Sequence, residues 1–120
     1  MQYLLLIYSD EKAGANATQA DMDAMMSNYL AYTQALQKAG VYASGEALHP
    51  TAAATTVRLQ NGKKVTTHGP FAETKEQLGG YYLLNCKNLD EAIEWGAKCP
   101  GAQVGAIEVR PVMDFSQAPA

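Results

Sequence analysis

Positions 3 to 8 read Tyr-Leu-Leu-Leu-Ile-Tyr, apolar without a break, the pattern of a short strand covered on both faces. A loop, DEKAGANA, follows. Thr18 with Asp21 three residues on resembles a capping box in which aspartate replaces the usual glutamate. From there Met22, Met25, Met26, Tyr29, Thr33 and Leu36 recur at helical spacing, and Gly40 stands where a C-cap would close the run. The spacing predicts a long amphipathic helix whose methionines fill the core. VYASGEALHP reads as a second strand ending at Pro50, followed by a connector of small residues. In TTVRLQNGKKVTT the Asn61-Gly62 pair between strand formers predicts a tight hairpin. Its register sets Gln60 opposite Lys63, Arg58 opposite Val65 and Thr55 opposite His68. Next, Pro70 is placed to open a short helix and Gly79 to end it, before GYYLLNC begins another strand. Asn88 and Glu91 form a capping box for a second helix, which Pro100 must end. AIEVRPV is a last strand, with Ile107 and Val109 on one face and Glu108 and Arg110 on the other.

The order β-α-β, hairpin, β-α-β predicts an α+β protein, a ferredoxin-like split β-α-β sandwich with an added β-hairpin. Residues 1–112 are expected to form one domain. Residues 113–120 form a polar, proline-bearing tail whose order depends on docking. Both helices fall on one sheet face, so the other must be hidden. Tyr3, Tyr8, Tyr81 and Tyr82 lie on the expected strands and would leave apolar area open in a monomer. A face-to-face homodimer is expected, with a pocket between sheet and partner.

Composition narrows the function classes. A chain of 120 residues, 48% apolar and 18% charged, is globular and long enough for an ordinary core. A net charge of −3 without any lysine–arginine cluster argues against a nucleic-acid partner. The apolar run near the start is too short to span a membrane. It also lacks the basic flank and cleavage site of a signal peptide, so a cytoplasmic protein with no membrane partner is expected. Cys86 and Cys99 stand outside any C-x-x-C pattern and are expected to be reduced.

Candidate chemistry is sparse. His68, at a strand end before Gly69-Pro70, could serve as a general base or acid; a hydrogen-bonded turn histidine is the plainer reading. Glu73 and Glu76 would share a face of the expected short helix, as paired carboxylates or as solvated charges. Thr74 could tie the turn. Arg110 could hold a carboxylate or phenolate by a bidentate contact, or pair with Glu108 on its own strand. Two isolated histidines and two distant cysteines do not make a metal site. No phosphate loop, nucleophile elbow or dinucleotide fingerprint occurs, and no cofactor is expected.

The stretch HGPFAETKEQLGGYYLLNCKNLDEAIEWGAKCPGAQVGAIEVRPV resembles the second half of YCII-related proteins of the DGPF-domain type. YLLLIYSDE and GEALHPTAAATTVR resemble their first half. The resemblance implies a ferredoxin-like fold, usually dimeric, in small cytosolic bacterial proteins of mostly undefined function. Two departures matter. The family motif begins with aspartate where this chain has His68. Enzyme relatives, among them a dehydrochlorinase of hydroxylated aromatics, carry a histidine–aspartate pair. The place of that aspartate, after Trp95 and before Pro100, holds Cys99, and ATQADMDAMM lacks the histidine. Three readings result. The first is a small-molecule-binding module with His68, Glu73, Thr74, Tyr8 and Arg110 around the ligand. The second is a cofactor-free lyase or isomerase acting on a small oxygenated substrate, aromatic ones included, with His68 as base. The third is a regulatory protein-interaction module.

Overall fold

A computed structural model describes residues 1–117. The main sheet contains β1 (Gln2–Ser9), β2 (Tyr42–Ala47), β5 (Gln77–Asn85) and β6 (Ala106–Pro111). Its order is β2-β5-β1-β6, with every neighbouring pair antiparallel. Helix α1 (Gln19–Lys38) joins β1 to β2 across β5, and α2 (Leu89–Lys98) joins β5 to β6 across β1. These two interlocked β-α-β units are consistent with the expected ferredoxin-like fold. Strands β3 (Thr55–Gln60) and β4 (Lys63–His68) form a separate two-stranded sheet. Its register matches the expected one, including Thr55 opposite His68. Asn61 at φ 52° and Gly62 at φ 77° supply the left-handed turn that such a tight hairpin needs.

Local chemistry sets the helix ends. Thr18 Oγ1 accepts the Asp21 amide at 3.1 Å, and the Asp21 carboxylate accepts the Thr18 amide at 3.0 Å, a complete capping box. At α2 the box is shifted. Asn88 accepts the Glu91 amide, but the Glu91 carboxylate reaches past the cap to the Lys87 amide.

The core lies between helices and sheet. Leu5 and Leu84 from the strands meet Leu36 and Tyr32 from α1 and Ala92 from α2, with Cys86 and Cys99 buried among them. Three expectations are corrected. Met22 and Met26 are not core filler: both are exposed, and α1 buries only Tyr32 and Leu36. Met25 alone of the three methionines lines a hollow beneath the middle of the helix, while Met22 and Met26 meet neither that hollow nor the core. Tyr3 and Tyr82 are not left open, because alternation turns them under the helices. Last, the short helix between Pro70 and Gly79 does not form. The main sheet takes Gly79 and Gly80 into β5, where Gly79 O accepts the Leu48 amide. Residues 70–76, left outside the strand, form no helix. Thr74 and Gln77 instead hold the segment irregular, through Thr74 Oγ1 to Glu76 O and Gln77 Nε2 to Thr74 O.

The second sheet face has no helical layer. Leu4 stands opposite Leu83, and Leu6 opposite Tyr81; all are half-buried. β1 is therefore covered on one face only, not on both as its unbroken apolar run suggests. Glu108 and Arg110 flank these residues on β6, opposite Leu6 and Leu4. After β6 the Val112 amide donates to Gln2 O, while Met113 and Phe115 are exposed. The end of the expected tail, beyond 117, lies outside the described residues. No helix among the described residues is long and apolar enough to cross a membrane.

Candidate ligand-binding site

The hollow beneath the middle of α1 is a cavity of about 420 Å³, within the roughly 300–1,000 Å³ typical of small-molecule sites. Its sheet side lacks bulk because Gly45 on β2 and Gly80 on β5 line it. A Cβ on Gly45 would stand 2.7 Å from the Tyr82 ring, so only glycine lets that ring lie flat against β2. The end wall is Gly101, in the turn after α2. A Cβ there would meet Tyr29 Oη at 2.6 Å and Ile7 Cγ2 at 2.9 Å.

Aromatic rings and hydroxyls form the walls. Tyr29 and Thr33, one helical turn apart on α1, face Tyr42 and Tyr82 of the sheet. The Thr33 and Tyr82 hydroxyls are 2.7 Å apart. Tyr82 packs edge-on against Tyr32 and Tyr42, with centroids 5.3 and 6.3 Å away. Tyr32 in turn donates to Trp95 O at 2.6 Å, fixing α1 against α2. Cys99 Sγ lies behind the wall and donates to Tyr29 Oη at 3.9 Å.

The electrostatics follow from burial. Desolvation pushes the Tyr29 phenol well above its ordinary range, and the neighbouring Cys99 adds to the shift. Burial likewise raises Tyr82, partly offset by its bond to Thr33. Both stay protonated at neutral pH and serve as hydrogen-bond donors rather than bases. The Cys99 thiol is also pushed up by burial, with the Gly101 backbone and Tyr29 pulling the other way. Glu46 is the one acidic residue of the lining, which contains no basic residue. Register sets it opposite Tyr81, the strand neighbour of Leu6, on the open face. A second hollow, of about 390 Å³ beside α2 and β6, is lined only by glycine, alanine, valine and isoleucine. It offers no polar side chain to orient a ligand.

The residues singled out from sequence lie elsewhere. His68 is exposed at the end of β4. There Gly69, at φ 100°, donates to Ala54 O and accepts from Thr56 Oγ1. Glu73 and Thr74 are exposed in the irregular segment before β5. Arg110 Nε is 3.5 Å from Glu108 Oε1, with side chains 69% and 49% exposed, a pair of little energetic weight. Tyr8 is half-buried at the end of β1, opposite Ala106. None of these residues lines the cavity. The residues that do, Tyr29, Thr33, Tyr42 and Tyr82, were read from sequence only as helix stripe and strand filler. Among the described residues no cluster of His, Cys, Asp and Glu could hold a metal ion.

The model of the YCII-related domain matches residues 1–116. The chain belongs to the YCII-related family. A relative from Rhizobium meliloti (strain 1021), an uncharacterized protein, is 37% identical over 114 residues, covering 93% of this chain and 92% of its own. Among solved structures, 5-chloro-2-hydroxyhydroquinone dehydrochlorinase from Burkholderia phenoliruptrix, in complex with 2,5-dihydroxybenzoquinone, is similar at a TM-score of 0.48 and 15% identity. The match covers 94% of each chain.

Proposed function

We propose that this YCII-related protein binds a small molecule in the cavity between α1 and the sheet. The observation that carries the reading is the cavity's make-up: glycine leaves the space, and tyrosines present both ring faces and hydroxyls to it. Apolar walls with a few convergent polar groups are the usual build of a ligand site. The test is a thermal-shift screen of small oxygenated aromatics, repeated on Met25→Trp. Met25 lines the overhang of α1, so the larger ring fills the hollow without touching the sheet core. Hits should vanish in that variant; hits that persist unchanged place the ligand elsewhere.

A lyase or isomerase at the same cavity is the second reading, favoured by one observation. The half-buried Tyr29 hydroxyl is placed to donate to an oxyanion as charge develops on it. Such chemistry also needs a base, and the side chains facing the cavity are neutral hydroxyls. Binding is therefore the better-supported function.

A homodimer belongs to the same proposal. Leu4, Leu6, Tyr81 and Leu83 form a contiguous apolar strip on the open face, and the molecule is only 19 Å thick across its sheet and helix layer. A second copy packed at the usual sheet spacing of about 10 Å would cover the strip. Leu83→Lys should then halve the mass seen in sedimentation, and a wild-type monomer at micromolar concentration would refute the assembly.

A further inference from the structure

We infer that the cavity selects neutral ligands whose oxygens accept hydrogen bonds, ketones and related carbonyl compounds, and discriminates against carboxylates and phosphates. The inference rests on the binding reading above and narrows it to a ligand class.

Proton accounting at the wall is the argument. Tyr29 Oη takes the Cys99 thiol, and among the described residues its own proton meets no protein acceptor. The Tyr42 hydroxyl likewise has no protein partner among them. In the Thr33–Tyr82 pair either oxygen can donate, and in either case one hydroxyl proton is left unused within the pair. Burial keeps Tyr29 and Tyr82 in the protonated form. The wall therefore holds hydroxyl protons that meet no protein acceptor among the described residues, and a ligand's acceptor oxygens can take them up.

Charge completes the argument. No lysine, arginine or histidine lines the cavity, and its one acidic lining residue, Glu46, lies by register on the open sheet face. An anion entering this space would lose its hydration without meeting a cation, a penalty that hydroxyl donors do not offset. A ketone loses far less water and can use the same donors. The half-buried sulfur of Met25 and the side chain of Ile7 add apolar contact for the rest of the molecule.

Matched probes test this: acetophenone against benzoate, and cyclohexanone against cyclohexanecarboxylate, titrated at neutral pH into isotope-labelled protein followed by amide NMR shifts. Each ketone should perturb Gly45, Gly80 and Gly101 and bind at least about tenfold more tightly than its carboxylate partner. Tyr29→Phe and Tyr42→Phe keep ring and volume while removing one donor each. At least one of them should weaken the ketones about three- to tenfold, the size of one hydrogen bond, and leave the carboxylates unmoved. A carboxylate that binds as tightly as its ketone overturns the ligand class and leaves the cavity reading standing. Failure of all four probes to perturb the cavity amides overturns both.

Discussion

Gly101→Ala puts the largest local strain on the cavity wall that a single methyl group can. The added carbon would sit 2.6 Å from Tyr29 Oη and 2.9 Å from Ile7 Cγ2, against about 3.5–4 Å for relaxed contact. Gly101 is buried, and Ile7 belongs to the central strand β1, so the backbone has little freedom to yield. Tyr29 can yield, because its hydroxyl is the tip of a ring facing open space. The expected cost is about 1–3 kcal/mol, the range for an extra methyl in a packed site. That amounts to about 4 °C in Tm per kcal/mol for a chain of this size. Part of the strain is specific to the tyrosine oxygen. Tyr29→Phe alone should cost about 0.5–1.5 kcal/mol, for the lost contacts with Cys99 and the Gly101 backbone. In the double variant the worse clash is gone and only the Ile7 contact remains. Urea unfolding of the four proteins should then show the double variant more stable than the sum of the singles by about 1 kcal/mol. Additivity within about 0.5 kcal/mol would refute the close approach of Gly101 to the Tyr29 hydroxyl. The single Gly101→Ala should also weaken ligand binding, since the ring can move only into the cavity.

Three further outcomes are expected. Cys86 and Cys99 are both buried and free, and burial raises both thiols; since the thiolate is the reactive form, Ellman's reagent should label neither quickly in the native protein and both after unfolding. Fast native labelling would contradict that packing. The Thr18 capping bonds hold the Asp21 carboxyl below its usual range. Its stabilising effect on α1 is thus fully present above about pH 4 and is lost as pH falls through the lower folded value. An NMR titration should show this, with Thr18→Ala moving Asp21 only part of the way back, because the Thr18 amide that contributes most is kept. Replacing exposed His68 with the family's aspartate should change stability and ligand affinity by no more than about 0.5 kcal/mol; a larger loss of affinity would bring the hairpin base into the site.

Where one side chain satisfies one backbone group, the sequence was enough. The Thr18 box, the Asn61-Gly62 turn with its register and the alternation of Ile107 and Val109 against Glu108 and Arg110 depend on neighbours a few positions away. The failures share a cause too. The stretch Pro70 to Gly79 has adequate helix signals, but whether they are used depends on a distant segment, since Leu48, just after β2, captures Gly79. The methionines fail in the same manner. Their spacing sets Met25 over the cavity, but Met22 and Met26 line neither cavity nor core, and spacing cannot say whether anything lies below a given residue.

The cavity makes this limit concrete. Its hydroxyls come from α1, β2 and β5, and its end wall from the turn after α2, so these contributions come from four separate places in the chain. The signals present were indirect. Tyr29 and Thr33 share a helix face with residues that are buried further along, and Gly45 interrupts a strand that a β-branched residue would otherwise suit. A strand glycine implies that something approaches the backbone closely, and here it is the Tyr82 ring at 2.7 Å from the position a Cβ would take. That ring in turn holds Thr33, and Thr33 holds α1 at the height that leaves the hollow open. Catalytic residue types drew attention to His68 and Arg110, whereas the space was made by residues with no titration near neutral pH. A site built from missing side chains and neutral hydroxyls points to recognition by shape and donor geometry. The decisive measurements are accordingly those that change a glycine or remove a single hydroxyl.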